Sequence, residues 1–129
     1  MTAKQVAAAF TRATCPYSWK TDYGTAYNAA LAAWTTDGYR ATHAYSPAKD
    51  SSVAADMRQS HEVQTCTGYQ VYNVDTGTYD PNVVTLRVQV TEITSAEGVP
   101  PSSYVDYDGY QLTHTSAGWR ISADANSGG

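Results

Sequence analysis

The sequence predicts an α+β domain in which N-terminal helices pack on a curved, mainly antiparallel four-stranded sheet. Three observations predict it. Apolar residues recur at intervals of three and four through the first half of the chain, then alternate after His61. Gly, Pro, Asn and Asp punctuate the second half at the spacing of hairpins. Cys15 and Cys66 fall one in each half and are the only cysteines.

Ala3, Val6, Ala7, Phe10 and Ala13 make the first helical stripe, and Thr14-Cys15-Pro16 ends it. Met1–Gln5 reads as an abrupt start already inside that helix. Thr21 or Asp22 caps a second helix, whose stripe is Tyr23, Tyr27, Ala30, Leu31 and Trp34. Asp37-Gly38 interrupts, a short helical turn runs through Tyr39–Tyr45, and Ser46-Pro47 stops it. Asp50 to Ser52 offers caps for a last helix with Val53, Met57 and His61 on one face.

Glu62 to Val74, rich in Thr, Tyr and Val, is the first long strand, and Gly68 inside it marks a bulge. Asp75 to Asn82 is a loop. Val84, Leu86, Val88 and Val90 then alternate with Thr85, Arg87, Gln89 and Thr91, which gives one dry and one wet face. Ser95 to Ser103, with Gly98, Pro100 and Pro101, is a second loop. Tyr104 to Thr115 is the third strand, Ser116-Ala117-Gly118 a tight turn, and Trp119 to Ala123 the last strand. Helices first and antiparallel hairpins after place one sheet around the long second helix. No repeat or linker divides the chain, so residues 1–125 form one domain, and residues 126–129 form a disordered Ser/Gly tail.

Charged residues make up 16% of the 129 positions, against about 25% in an average domain. Eleven tyrosines stand against one phenylalanine. Such a Tyr-, Thr- and Ser-rich surface fits an extracytoplasmic domain. The net charge of −4 lacks the positive footprint that nucleic acid requires. Two cysteines outside any CxxC do not make a metal site, and an even count in a low-charge chain favours a disulfide between Cys15 and Cys66. No stretch is long and apolar enough to span a bilayer. A disulfide without an export signal leads to the expectation of a signal or membrane anchor upstream of Met1.

The candidate sites are few. His43, His61 and His114 lack ligand spacing, so they read as surface or partly buried side chains. Asp106 and Asp108 share one strand face. They read as solvent-facing, with acid–base chemistry as the alternative. Tyr23, Tyr27 and Trp34 read as core rather than pocket. Tyr69, Tyr72 and Tyr79 are the candidate interface residues; Tyr69 and Tyr72 face opposite ways, so at least one ring meets solvent or a partner. No serine-nucleophile motif, phosphate loop or zinc motif is present.

The A-x-x-F pattern of the first helix (Ala7 to Phe10), the T-x-x-x-Y turn from Thr35 to Tyr39 and the ending Gly118-Trp119-Arg120-Ile121-Ser122 resemble the nuclear-transport-factor-2-like cone fold. The layout also resembles the extracytoplasmic domains of TcpC-like type IV secretion and conjugation scaffold proteins. That resemblance implies a non-enzymatic assembly domain, anchored to the cell membrane and contacting other envelope or channel subunits or copies of itself. It implies no cofactor, metal or catalytic residue. The alternatives are a small-molecule-binding or enzymatic cone domain and a secreted protein-binding module.

Overall fold

The chain begins with a helix that carries its own start signal. The computed structural model describes residues 1–45 and 55–125. Helix α1 (Ala3–Thr14) is capped by Thr2, whose hydroxyl accepts from the Gln5 amide while the Gln5 side chain accepts from the Thr2 amide. This reciprocal T-x-x-Q box satisfies two orphan N–H groups. It corrects the reading of Met1–Gln5 as the inside of a helix.

After α1, Tyr17–Ser18 forms a two-residue strand, β1, too short for any period to reveal. The sheet therefore has five strands, not four. Helix α2 (Tyr23–Trp34) is capped by Asp22. Helix α3 (Asp37–His43) is capped by Thr36, so Asp37-Gly38 opens this helix instead of interrupting the chain. Thr35 leaves α2 extended and bridges Ile121, and the Thr36 amide donates to the Ile121 carbonyl. Residues 55–60 are helical, and His61 ends them at φ 52°. His61 thus closes the helix and does not sit on a face with Met57. Ser46-Pro47, the Asp50–Ser52 caps, Val53 and the tail at 126–129 lie outside the described residues.

Strands β2 (Val63–Asn73), β3 (Val83–Ala96), β4 (Val99–Thr115) and β5 (Gly118–Ala125) complete an antiparallel sheet in the order β1-β2-β3-β4-β5. The loop expected over Ser95–Ser103 is instead a tight hairpin, with Ala96 paired to Val99 and Thr94 to Ser102. Pro100 and Pro101 fit because β5 pairs with β4 only from Gly109 onward. The earlier part of β4 is an edge on that side among the described residues, and an edge strand tolerates a missing N–H.

The bulge at Gly68 (φ 68°) is present between Thr67 and Gln70. Its extra residue reverses the side-chain alternation of β2. As a result Tyr69 and Val71 pack against the core, while Tyr72 faces out at 37% exposure.

Among the described residues, α1 and α2 cover the concave face of the sheet. Val6, Ala7 and Phe10 of α1 meet Leu86 and Val88 of β3, Leu112 of β4 and Ile121 of β5, with Ala30 and Leu31 of α2 behind them. The sheet curls around α1, not around the second helix. Phe10 has Tyr27, Tyr39 and Tyr110 around it, with ring centroids 5.7–6.4 Å away.

Cys15, just past α1, is disulfide-bonded to Cys66 of β2, with Cα atoms 6.3 Å apart. Buried Gln64 reinforces this staple: its Nε2 donates to the Cys15 carbonyl (2.8 Å) and its Oε1 accepts from Thr94 (3.2 Å). The closed loop spans 51 residues, so the crosslink removes about 4 kcal/mol of chain entropy from the unfolded state. Replacing both cysteines with serine should lower unfolding stability in urea by roughly that amount, at least 2 kcal/mol in practice. Unchanged stability would show that the crosslink constrains nothing.

Candidate functional site

The curled sheet leaves a cavity of about 580 Å³ at the end of the cone that α1 does not fill. Each strand turns alternate residues inward. On β4 the inward row runs Tyr104, Asp106, Asp108, Tyr110 and Leu112, and the last two join the core or its edge. Glu92 of β3 is paired with Tyr104, and Asp124 of β5 with Tyr110. Tyr23 and Tyr27 of α2 form part of the opposite wall.

Asp106 and Asp108 are therefore not solvent-facing, as the alternation alone suggested: both are partly buried and line the cavity. Tyr23 and Tyr27 line it too, although Tyr27 also packs on the core; Trp34 is a core-packed residue. The sequence showed that the two aspartates share a face. It did not show that this face is concave, because inward and outward follow from the curl of the whole sheet.

Burial drives the electrostatics of this cavity. The Asp108 carboxyl is pushed up to about 6 by burial, then by the charges of Asp106 and Asp124. Glu92 is 5% exposed, and its carboxyl is also raised, first by burial and then by Asp106. Burial raises the Tyr23 hydroxyl to about 12, helped by Tyr27 and Asp108. Tyr39 and Tyr110 are raised further, each chiefly by burial. At neutral pH these phenols are neutral donors.

A second cluster sits at the Asp124 side. Asp124 accepts from the Tyr39 hydroxyl (2.7 Å) and pairs with Nε2 of His43 (2.8 Å). Nδ1 of His43 lies 2.9 Å from the Tyr39 carbonyl, and the two rings stack 3.7 Å apart. His43, read as a surface or partly buried residue, is partly buried and lines the cavity. The one-turn spacing of Tyr39 and His43 was visible in the sequence; their shared partner, 81 residues beyond His43, was not. His61 stacks on Trp19 (4.1 Å) and pairs with Glu97, and His114 packs edge-on to Trp119. Among the described residues no three His, Cys, Asp or Glu side chains are placed to hold a metal ion.

The convex face of the sheet carries a different arrangement. Arg87 of β3 lies between Tyr72 of β2 and Tyr107 of β4, 5.1 and 5.2 Å from the ring centroids. Its Nε is buried without a hydrogen-bond partner. Beyond it, Ile93 (38%), Val105 (48%) and Tyr107 (41%) remain exposed. Of the three tyrosines singled out from the sequence, Tyr72 belongs to this face. Tyr69 packs inward, with the Arg12 guanidinium 5.0 Å from its ring, and Tyr79 is 90% exposed in the loop before β3.

No protein-family model and no curated protein matches this chain. Solved structures do resemble it. The intermembrane space region of the chloroplast protein ARC6 aligns with a TM-score of 0.53 and 14% identity, over 95% of this chain and 92% of that one. An NTF2-like protein with a cystatin-like fold from Novosphingobium aromaticivorans aligns with a TM-score of 0.50 and 16% identity, over 92% of this chain and 73% of that one. At these identities the likeness is one of fold, and it shows the NTF2-like cone.

The raised Asp108 carboxyl makes stability depend on pH. Its folded value, about 6, lies above the ordinary 3.8, so the folded state holds a proton that the unfolded chain has lost. The contribution is fully present below the ordinary value and is lost as pH rises through 6. Solvent reaches part of the carboxyl and screens it, which leaves an effect of about 1 kcal/mol. Asp108→Asn should therefore raise Tm at pH 8 by about 4 °C and change nothing near pH 3. Thermal melts at both pH values check this, and an equal gain at both would contradict the assignment.

Proposed function

We propose that this chain is a non-enzymatic assembly domain of an extracytoplasmic cell-envelope complex, of the kind that serves a conjugative type IV secretion channel. The observation that carries the proposal is the convex face, uncovered among the described residues, beside the open edge of β4. Val99–Asp108 has no strand partner on its outer side among the described residues. Such an edge presents unpaired N–H and C=O groups that a strand of another protein can pair with. Pro100 and Pro101 blunt only the start of the segment, and from Ser102 to Asp108 it carries neither proline nor lysine, the residues that protective edges often use. Beside the edge lies the Tyr72–Arg87–Tyr107 stack, and Tyr and Arg are the residues that most often dominate binding energy at interfaces. The occupant is an extended strand of another channel subunit. It pairs with β4 and lays side chains on Val105 and Tyr107.

The disulfide supports an oxidising compartment, because thiols in the cytosol are kept reduced. The fold likeness to an intermembrane space region agrees with an envelope location. The secretion assignment itself rests on the sequence resemblance, and it includes anchoring to the cell membrane through a segment upstream of this chain. Both thiols are taken up in the crosslink, so a cysteine nucleophile has no place in the proposal.

A photo-reactive phenylalanine analogue at Val105 tests this in the full-length protein in its own cells. Crosslinks to another envelope subunit are expected, and none from the same probe at Ala29, exposed on α2. Arg87→Ala removes two cation–π contacts and should weaken the complex about tenfold. Adducts that form equally at both positions, or only with cytoplasmic proteins, would overturn the proposal.

A further inference from the structure

Arg87 is a cation without an anion. We infer that it receives an acidic side chain, glutamate or aspartate, carried by the strand that docks on β4; the inference rests on that docking and names the chemistry of its occupant. Among the described residues no carboxylate pairs with Arg87, since the ion pairs are those of Arg40, His43 and His61. Its Nε is buried with no hydrogen-bond partner. Leu86, Val88 and Val90 are buried on the concave side, so Arg87 shares the outward row of β3 with Thr85, Gln89 and Thr91. Gln70 of β2 and Gln111 of β4 flank that row. All five of these neighbours are uncharged. A partly desolvated guanidinium is costly until an anion with matching acceptors meets it.

The two rings set the direction of approach. The guanidinium carbon lies over Tyr72 at 5.1 Å and over Tyr107 at 5.2 Å. Two sides are thereby taken, and the outer N–H edge is left for a ligand. A planar anion with two oxygens fits such an edge, because a carboxylate accepts two parallel N–H bonds from one guanidinium. The way in lies on the β4 side. Arg87 is paired there with Gly109, which has no side chain to block it. A glycine inside a strand often marks the close approach of a ligand or another chain. Gly109 is also where the pairing with β5 stops, so the free edge begins at the next residue, Asp108.

The distances suit a side chain of the docked strand. Neighbouring strands are about 4.8 Å apart, which puts a docked strand about 10 Å from β3. Arg87 spans part of that gap, since it already reaches the ring of Tyr107. An acidic side chain on the same face of the docked strand spans the rest. A second copy of this chain does not supply the group. If two copies joined at β4 in one continuous curved sheet, the carboxylates of the copy's edge, Asp106 and Asp108, would face the cavity side. A lipid surface is read by clusters of about four to eight cations, and the outward rows of the described strands hold only Arg87 and Arg120.

The test uses the full-length protein in its own cells, with the photo-reactive phenylalanine analogue at Val105. Mass spectrometry of the adduct locates the attached segment, which should carry Glu or Asp within about two residues of the attachment point, the spacing of successive side chains on one strand face. Arg87→Glu should lower the adduct yield at least about tenfold, the weight of one charge-assisted hydrogen bond. Exchanging the partner's acidic residue for lysine in the Arg87→Glu background should restore the yield. Arg87→Lys, which keeps the charge, should lose less than Arg87→Gln. Melting curves of the purified chain confirm that each variant is folded. A segment with no acidic residue, equal loss for Arg87→Lys and Arg87→Gln, or no restoration by the exchanged pair overturns the inference and leaves the docking on β4 standing. Absence of any adduct at Val105, or adducts only to a second copy of this chain, overturns the docking and the inference together.

Discussion

The structure depends on a mismatch of lengths between its two layers. Helices α1 and α2 have twelve residues each, and a helix of that size is about 18 Å long. Strands β3 and β4 have fourteen and seventeen residues, which reach about 46 and 56 Å if extended. Twist and curl shorten the sheet but do not close this gap. The helices can therefore cover one end of the concave face and no more. Where they cover it, Leu86, Val88, Leu112 and Ile121 are buried to 1% exposure or less. Where they stop, the same inward rows carry Glu92, Asp106 and Asp108. The composition of each strand changes at the point where its cover ends.

The staple fixes where that point lies. α1 could slide along an apolar trough with little loss of burial, because the hydrophobic effect has no direction. Cys15–Cys66 and the bond from Gln64 to the Cys15 carbonyl prevent it. Together they tie the end of the helix to one level of β2. The Gly68 bulge lies two residues further along β2 and sets which tyrosine faces the core. The position of the cavity mouth and the identity of the outward ring thus follow from a few neighbouring residues, Gln64 to Tyr69. One local arrangement fixes both the cavity and the face to which a function is assigned.

Much of this fold was legible in the sequence because it is periodic. The stripes from Ala3 and from Tyr23, and the alternation from Val84 to Val90, specify their elements directly. The Cys15–Cys66 bond followed from counting, and the Gly68 bulge from a glycine inside a strand. The errors fall where a local signal lost to pairing across the sheet. Pro100 and Pro101 suggested a loop, yet they lie on an edge where no N–H is needed. Tyr17–Ser18 is too short to show a period. The cavity was least legible. Asp106 and Asp108 share a face in any strand, but only the curl, the bulge and the length of α1 make that face an interior one. The Tyr39–His43–Asp124 cluster joins residues 81 or more positions apart, and no spacing rule reaches that far.

Among the described residues β5 pairs with β4 only from Gly109 onward, so the first part of β4 is a free edge while Gly109–Thr113 is locked between β3 and β5. Amide hydrogen exchange on the isolated chain measures this directly. Gly109–Thr113, paired on both sides, should be protected throughout. Along Val99–Asp108 the protection should alternate, with slow amides bonded to β3 and fast amides pointing away from it. Uniform protection along all of β4 would contradict the account, because the edge on which the proposed assembly depends would already be covered.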